Sequence, residues 1–284
     1  MFYRIKTKLK RLFEFLYELL FQKQLVSIDV IPFNKYNLTG PKYLLNGLLE
    51  ANVAQHLKAV RLLINKIKHN REIIIFDVGA NIGQISLIFS EIENSKIFSF
   101  EPVIESFNLL NKNVIDNNIN NITTFPYGLF SEDKQIGMGP PKNVSLLKRF
   151  DKKSLGMKSI FTDNDEYIVE LKKGDDVPFI INLKSLHILK IDVEGVELEV
   201  LKGLKETIKK NSPVILMEYS SFTLKNAGTS KDELISFIKN LDYKFVMNFN
   251  QIKNDDWNQN FDFIEKFDFP NIGAPDLIIS KSRL

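Results

Sequence analysis

From Ile73 onward, short apolar runs alternate with stretches of helical period. Ile73–Phe76 is a β-branched run of strand length, and Ile82–Phe89 continues at helical spacing. Lys96–Phe100 reads as a second strand, Val103–Asn113 as a helix and Ile122–Phe125 as a third strand. Leu186–Ile191 is a fourth, followed by a helix from about Gly195 to Lys210. Pro213–Met217 is a fifth strand, followed by a helix over Lys231–Asn240. Tyr243–Asn248 and Asp276–Ser280 close the pattern with no convincing crossover helix between them, so an antiparallel pair at one edge is expected. The βα alternation predicts an α/β fold, a mostly parallel sheet with helices on both faces.

Ahead of this pattern, residues 2–22 read as an amphipathic helix with Ile5, Leu9, Leu12 and Leu16 at helical spacing. Arg4, Lys6, Lys8, Lys10 and Arg11 make its first half basic. Such a helix suits docking on the domain or on a second subunit of a homo-oligomer; the sharper alternative is peripheral contact with an anionic membrane surface. Residues 27–48, with Pro32, Gly40, Pro41 and Gly47, read as loop with short pieces of structure, and a helix is expected over Ala51–Lys68. Between Gly137 and Gly174 the pattern weakens into a polar, basic stretch of the kind that forms lids or mobile segments.

Composition narrows the chemistry. The 284 residues contain no cysteine, which removes disulfides, thiolate nucleophiles and cysteine-ligated zinc. The three histidines, His56, His69 and His187, are scattered, so no metal site is assigned to them. A net charge of +3 does not by itself suggest a nucleic-acid partner. No apolar run is long enough to span a membrane, and Glu14 and Glu18 interrupt the one N-terminal stretch that is signal-like, so a cytoplasmic protein is expected.

The candidate chemistry begins at I-I-I-F-D-V-G-A-N-I-G-Q, Ile73–Gln84. A dinucleotide loop needs glycine at positions one, three and six of its motif; counted from Gly79 those positions hold Gly79, Asn81 and Gln84. A P-loop fails too, since Gly83 is followed by Gln84 and Ile85. An acid, Asp77, at the strand end disfavours a phosphate and suits a ligand with positive charge. S-adenosylmethionine, with a sulfonium and an ammonium group, is such a ligand. Gly79 permits the turn, Gly83 is expected to let helix and cofactor approach, and Asp77 and Asn81 offer partners to the methionyl part. In F-S-F-E-P, Glu101 can accept hydrogen bonds from ribose hydroxyls, with Pro102 opening the next helix.

A second acidic cluster lies in L-K-I-D-V-E-G-V-E-L-E-V-L-K-G-L, Leu189–Leu204. Asp192 ends the fourth strand and Glu194 follows it, while Glu218 ends the fifth. Ligands in open α/β sheets sit beyond the strand carboxyl ends at the switch in strand order, which puts these acids near the reactive end of a cofactor. Glu197 and Glu199 read as first-turn acids complementing a helix dipole.

Together D-V-G-A-N-I-G, F-E-P, L-K-I-D-V-E-G-V-E and P-V-I-L-M-E resemble the FkbM-type S-adenosylmethionine-dependent methyltransferases over roughly residues 70–220. The resemblance implies a Rossmann-like class I methyltransferase fold: a seven-stranded sheet whose last strand is antiparallel, over residues 71–284, with residues 1–70 as a helical and loop extension. It implies O-methylation, often of a sugar hydroxyl in a glycan, glycolipid or natural product. Tyr127, Gly128, Leu129 and Ser131 match a stretch near the adenine in similar proteins, which makes Gly128 a cofactor-binding candidate. Asp175 or Asp176 stands where family members carry a leucine–aspartate pair, with Gly174 in place of the leucine.

Methyl transfer to a hydroxyl needs a base, because a sugar hydroxyl is barely ionised at neutral pH. Asp192 is the first choice as catalytic base, with Glu218 and Glu194 as alternatives; His187 starts the fourth strand, at the wrong end of the sheet. Mg²⁺ on Asp192, Glu194 or Glu218 is compatible with the same residues. The rival readings are a nucleic-acid methyltransferase, a non-catalytic membrane-associated binding protein on this fold, and a dehydrogenase, which the missing glycines disfavour.

Overall fold

The computed structural model describes residues 28–33, 35–41, 45, 60, 63–64, 72–139, 167–248, 257–258, 261 and 276–284. The amphipathic stretch at residues 2–22 and most of the basic segment between 137 and 174 lie outside these. The strands are β1 (Ile28–Phe33), β2 (Tyr36–Pro41), β3 (Ile73–Val78), β4 (Ser95–Phe100), β5 (Ile122–Phe125) and β6 (Gly128–Phe130). They continue with β7 (Lys134–Met138), β8 (Tyr167–Lys173), β9 (Ile188–Ile191), β10 (Val214–Glu218), β11 (Phe245–Asn248) and β12 (Asp276–Ser280). The helices are α1 (Gln84–Phe89), α2 (Ile104–Asp116), α3 (Pro178–Ile181), α4 (Glu197–Gly203), α5 (Lys205–Asn211), α6 (Ser221–Asn226) and α7 (Lys231–Asn240). None of the helices in the described residues is long and apolar enough to cross a membrane.

Seven strands form one sheet in the order β11-β12-β10-β9-β3-β4-β5. β12 runs antiparallel to both β10 and β11, and the other pairs are parallel. The expected antiparallel pair is present, with β12 inserted between β10 and the edge strand β11. The strand order reverses between β3 and β9, so the loops after these two strands meet at one crevice.

Strand alternation builds the two faces. Ile73 and Ile75 pack on one side with Ile97, Ile188 and Leu216. Ile74, Phe76 and Val78 pack on the other with Leu189, Ile191 and the α4 residues Val200 and Leu201. Being covered on both faces, the central strands read as continuous apolar runs.

The stretch 27–48, expected as loop with short pieces of structure, carries a hairpin, with Phe33 opposite Tyr36. β2 is held by α2: Thr39 N–H donates to Asn113 Oδ1 (2.7 Å), and Asn113 Nδ2 donates back to the Thr39 carbonyl (2.9 Å). Phe33, Leu38, Leu45, Val60 and Leu63 join the same core as β3. β6, β8 and β7 form a second small sheet beside the crevice. The helix expected from 195 to 210 is two helices, broken at Leu204.

Candidate active site

The loops after β3, β4, β9 and β10 surround a cavity of about 280 Å³. Gly79, Asn81, Glu101, Pro102 and Gly128 line it, as do Asp192, Glu194 and Glu218. Eight of the ten residues singled out from the sequence thus face one space. Asp77 and Gly83 do not.

Asp77 departs from expectation because β3 continues through Val78. Its side chain therefore leaves the sheet on the face shared with Ile73 and Ile75, beneath the loop and away from the crevice. There Ser86 Oγ donates to Asp77 Oδ2 (2.5 Å), and Ser99 Oγ lies 2.8 Å from Ser86 Oγ. Asp77 is fully buried, and the Lys190 ammonium is 3.1 Å from its Oδ1. Gly83 serves helix packing instead of ligand approach: with φ 93°, it opposes α2, and a Cβ there would lie 2.6 Å from Leu110 Cδ1.

Gly79 has φ 78°, and an added Cβ would lie 1.9 Å from the Asp192 carbonyl oxygen. The loop after β3 thus lies directly against the end of β9. Asn81 also adopts a left-handed conformation (φ 51°), and its N–H donates to Glu101 Oε2 (2.9 Å). Glu101 Oε1 accepts from Val103 N–H (2.9 Å). Burial pushes Glu101 up to about 7, against the lowering effect of these two bonds and of Lys190. The side-chain oxygens Asn81 Oδ1 and Gln84 Oε1 are buried without a protein partner, and both residues line the cavity.

At the opposite wall Asp192, Glu194 and Glu218 each offer a carboxylate oxygen, all within 4.8 Å of one another. Glu194 sits in the left-handed region (φ 55°) ahead of Gly195. Its carboxyl is pushed up to about 8 by burial, then by its neighbours Asp192 and Glu197. Glu197 is in the first turn of α4, as expected, and is also buried: Oε1 accepts from Gly195 N–H (3.0 Å) and Oε2 has no hydrogen-bond partner. Burial raises it to about 7. Glu199 does lie at the surface of α4, taking bonds from Ser131 Oγ and from Lys202 Nζ (2.6 Å).

Sequence reasoning missed Lys190 and left Gln84 unassigned. The signal for Lys190 was present in L-K-I-D: a lysine inside a buried parallel strand is rare unless paired. Burial opposes its charge, but Asp77 and Asp192 hold its pKa above the usual lysine value. His187 is structural, as expected: its Nδ1 accepts the Ile74 N–H (2.9 Å) at the start of β9. Asp175 is also structural, accepting from Glu206 N–H (2.8 Å) and Thr207 N–H (2.9 Å) at the start of α5. Gly128 and Leu129 line the cavity, whereas Tyr127 packs in the core and Ser131 bonds to α4.

The family described as "Methyltransferase FkbM domain" matches residues 77–245. The chain is similar to "Methyltransferase 1" of Beauveria bassiana (strain ARSEF 2860), 30% identical over 147 residues, covering 46% of this chain and 58% of that protein. It is similar to "Hexuronic acid methyltransferase AglP" of Haloferax volcanii, 31% identical over 159 residues, covering 55% of this chain and 59% of that protein. A solved methyltransferase FkbM from Methylobacillus flagellatus KT aligns at 15% identity with a TM-score of 0.43, covering 74% of this chain and 43% of that one. The matches thus span somewhat under 60% of the two curated relatives' lengths.

Proposed function

The chain belongs to the FkbM methyltransferase domain family, and on that premise we propose that it transfers a methyl group from S-adenosylmethionine to a hydroxyl of a sugar-like acceptor. One observation carries the reading of the cofactor. Every ionisable residue lining the cavity is an acid, Glu101, Asp192, Glu194 and Glu218, with no lysine, arginine or histidine among the described lining residues. Such a site suits a ligand with a sulfonium and an ammonium and opposes a pyrophosphate.

The residues fit that cofactor in detail. Each Glu101 oxygen is already oriented by one backbone N–H and retains acceptor capacity for a ribose hydroxyl. The orphaned oxygens of Asn81 and Gln84 offer acceptors for an ammonium. Gly128 leaves room against Pro102 and Leu171, where a Cβ would lie 3.5 Å and 2.7 Å from their side chains.

The cofactor supplies an activated methyl group, so the hard chemistry is its own. The protein must seat the acceptor oxygen and take its proton. Asp192, the first choice for the base from the sequence, has its Oδ2 3.5 Å from the Lys190 ammonium, which engages that oxygen as an ion-pair partner. Glu194, raised to about 8 and facing the same cavity, is the better proton acceptor. Glu218 completes the wall against which a polyol can hydrogen-bond. The likeness to a hexuronic acid methyltransferase supports a sugar acceptor. Mg²⁺ on the three carboxylates is compatible with their spacing but is not needed for this scheme.

Calorimetric titration with S-adenosylmethionine, with NAD as control, tests the cofactor reading. Micromolar-range binding of the first alone is expected. Binding of NAD alone would overturn it.

A further inference from the structure

Lys190 lies in the middle of β9, directly across from Asp77 of β3. Its side chain is almost wholly buried. The ammonium reaches three groups on two segments: it donates to the Gly79 carbonyl (2.9 Å), and lies 3.1 Å from Asp77 Oδ1 and 3.5 Å from Asp192 Oδ2. Gly79 and Asp192 meet closely enough that a Cβ on Gly79 would lie 1.9 Å from the Asp192 carbonyl oxygen. Both line the cavity, whereas Lys190 and Asp77 do not. A counter-charge for Asp77 alone would need only one of these contacts.

We propose that Lys190 is a positioning residue that locks the loop after β3 to the end of β9, so that both walls of the cofactor cavity are set before the ligand arrives. Pre-set walls spare the ligand the cost of ordering them. As far as it concerns the cofactor, this inference rests on the assignment of S-adenosylmethionine to the cavity.

The single variant Lys190→Met strands Asp77 as a buried unpaired acid, and its melting temperature should fall sharply. The informative protein is therefore the double variant Lys190→Met/Asp77→Asn, which removes both charges. If Lys190 positions the loops, the double variant regains a near-parental melting temperature but binds S-adenosylmethionine at least tenfold more weakly. Asp77→Asn alone, which keeps the lysine on Gly79 and Asp192, should stay within about threefold of the parent. Amide hydrogen exchange over residues 79–84 and 192–196 should accelerate tenfold or more in the double variant, with β10 and β12 unchanged. Parental affinity and parental exchange in a stable double variant would overturn the inference and reduce Lys190 to a counter-charge. If the parent itself fails to bind S-adenosylmethionine, the cofactor reading falls, and hydrogen exchange still decides whether Lys190 locks the two loops.

Discussion

The Asn81 N–H donates to Glu101 Oε2 at 2.9 Å, joining the loop after β3 to the end of β4. One carboxylate thus orders two neighbouring walls of the cavity while still facing the space where a ribose would sit. Glu101→Ala removes the acceptor and frees the Asn81 and Val103 N–H groups together. Affinity for S-adenosylmethionine should fall at least about tenfold, since hydrogen bonds to charged groups contribute about 1.5–3 kcal/mol. Calorimetry on the folded variant checks this. Unchanged affinity would place the ribose elsewhere.

Gly79→Ala tests the close approach of the loop after β3 to the end of β9. Its φ of 78° strains any side chain, and the new Cβ would lie 1.9 Å from the Asp192 carbonyl. Overpacking costs about 1–3 kcal/mol, and the left-handed backbone adds about 1–2 kcal/mol. The variant should melt several degrees lower and lose cofactor binding. Gly228→Ala is a control for the backbone cost alone, because its φ is 72° with nothing within 4 Å of the added Cβ.

Much of this site was legible because its strands are buried on both faces and carry acids at or just past their ends. The apolar runs at Ile73, Ile97, Ile188 and Val214 marked the four strands, and Glu101, Asp192 and Glu218 marked their ends. What was lost depended on contacts distant in sequence. Helix 195–210 breaks at Leu204, where the preceding Gly203 abuts the Phe130 carbonyl and Asp175 caps the next helix. β8 was hidden because only Val169 and Leu171 of Tyr167–Lys173 are fully buried, too short an alternation to stand out. Asp77 was misplaced by one residue of register: β3 runs one position past it, and that turns its side chain onto the sheet face.

Glu101 and Glu197, each raised to about 7, and Glu194, raised to about 8, all start from 4.5 and rise chiefly by burial. Above about pH 4.5 the unfolded chain releases these protons while the folded protein keeps them. The native state then holds more protons, so stability falls as pH rises from about 5 to about 8. Lys190 acts in the alkaline range: its contribution is full below the unfolded lysine value and is lost only above its raised folded one. Glu199 and Glu233, held below the usual carboxylate value, lose their contribution only as the medium turns acid. Thermal melts of the free protein should decline across pH 5–8, and Glu197→Gln should flatten the slope. A melting temperature that rises across this range would refute the burial of these acids.

Glu194 and Asp192 face the same cavity but differ in what holds them. Asp192 Oδ2 is paired with Lys190, while Glu194 sits on a left-handed turn where burial, and then the neighbouring acids Asp192 and Glu197, raise its affinity for a proton. Transfer of a labelled methyl group to a panel of neutral and acidic sugars separates their roles. Glu194→Gln should lower turnover by about 10²–10⁴-fold, the range for loss of a general base, with cofactor affinity nearly kept. Turnover of the parent should rise with pH as Glu194 loses its proton and then level off. Asp192→Asn should weaken cofactor binding more than it slows transfer. The reverse pattern, with turnover collapsing in Asp192→Asn and surviving in Glu194→Gln, would return the base to Asp192. Chelator addition completes the comparison. An unchanged rate supports proton removal by a free carboxylate, whereas a loss restored by Mg²⁺ would assign the three clustered acids to a cation that lowers the hydroxyl pKa instead.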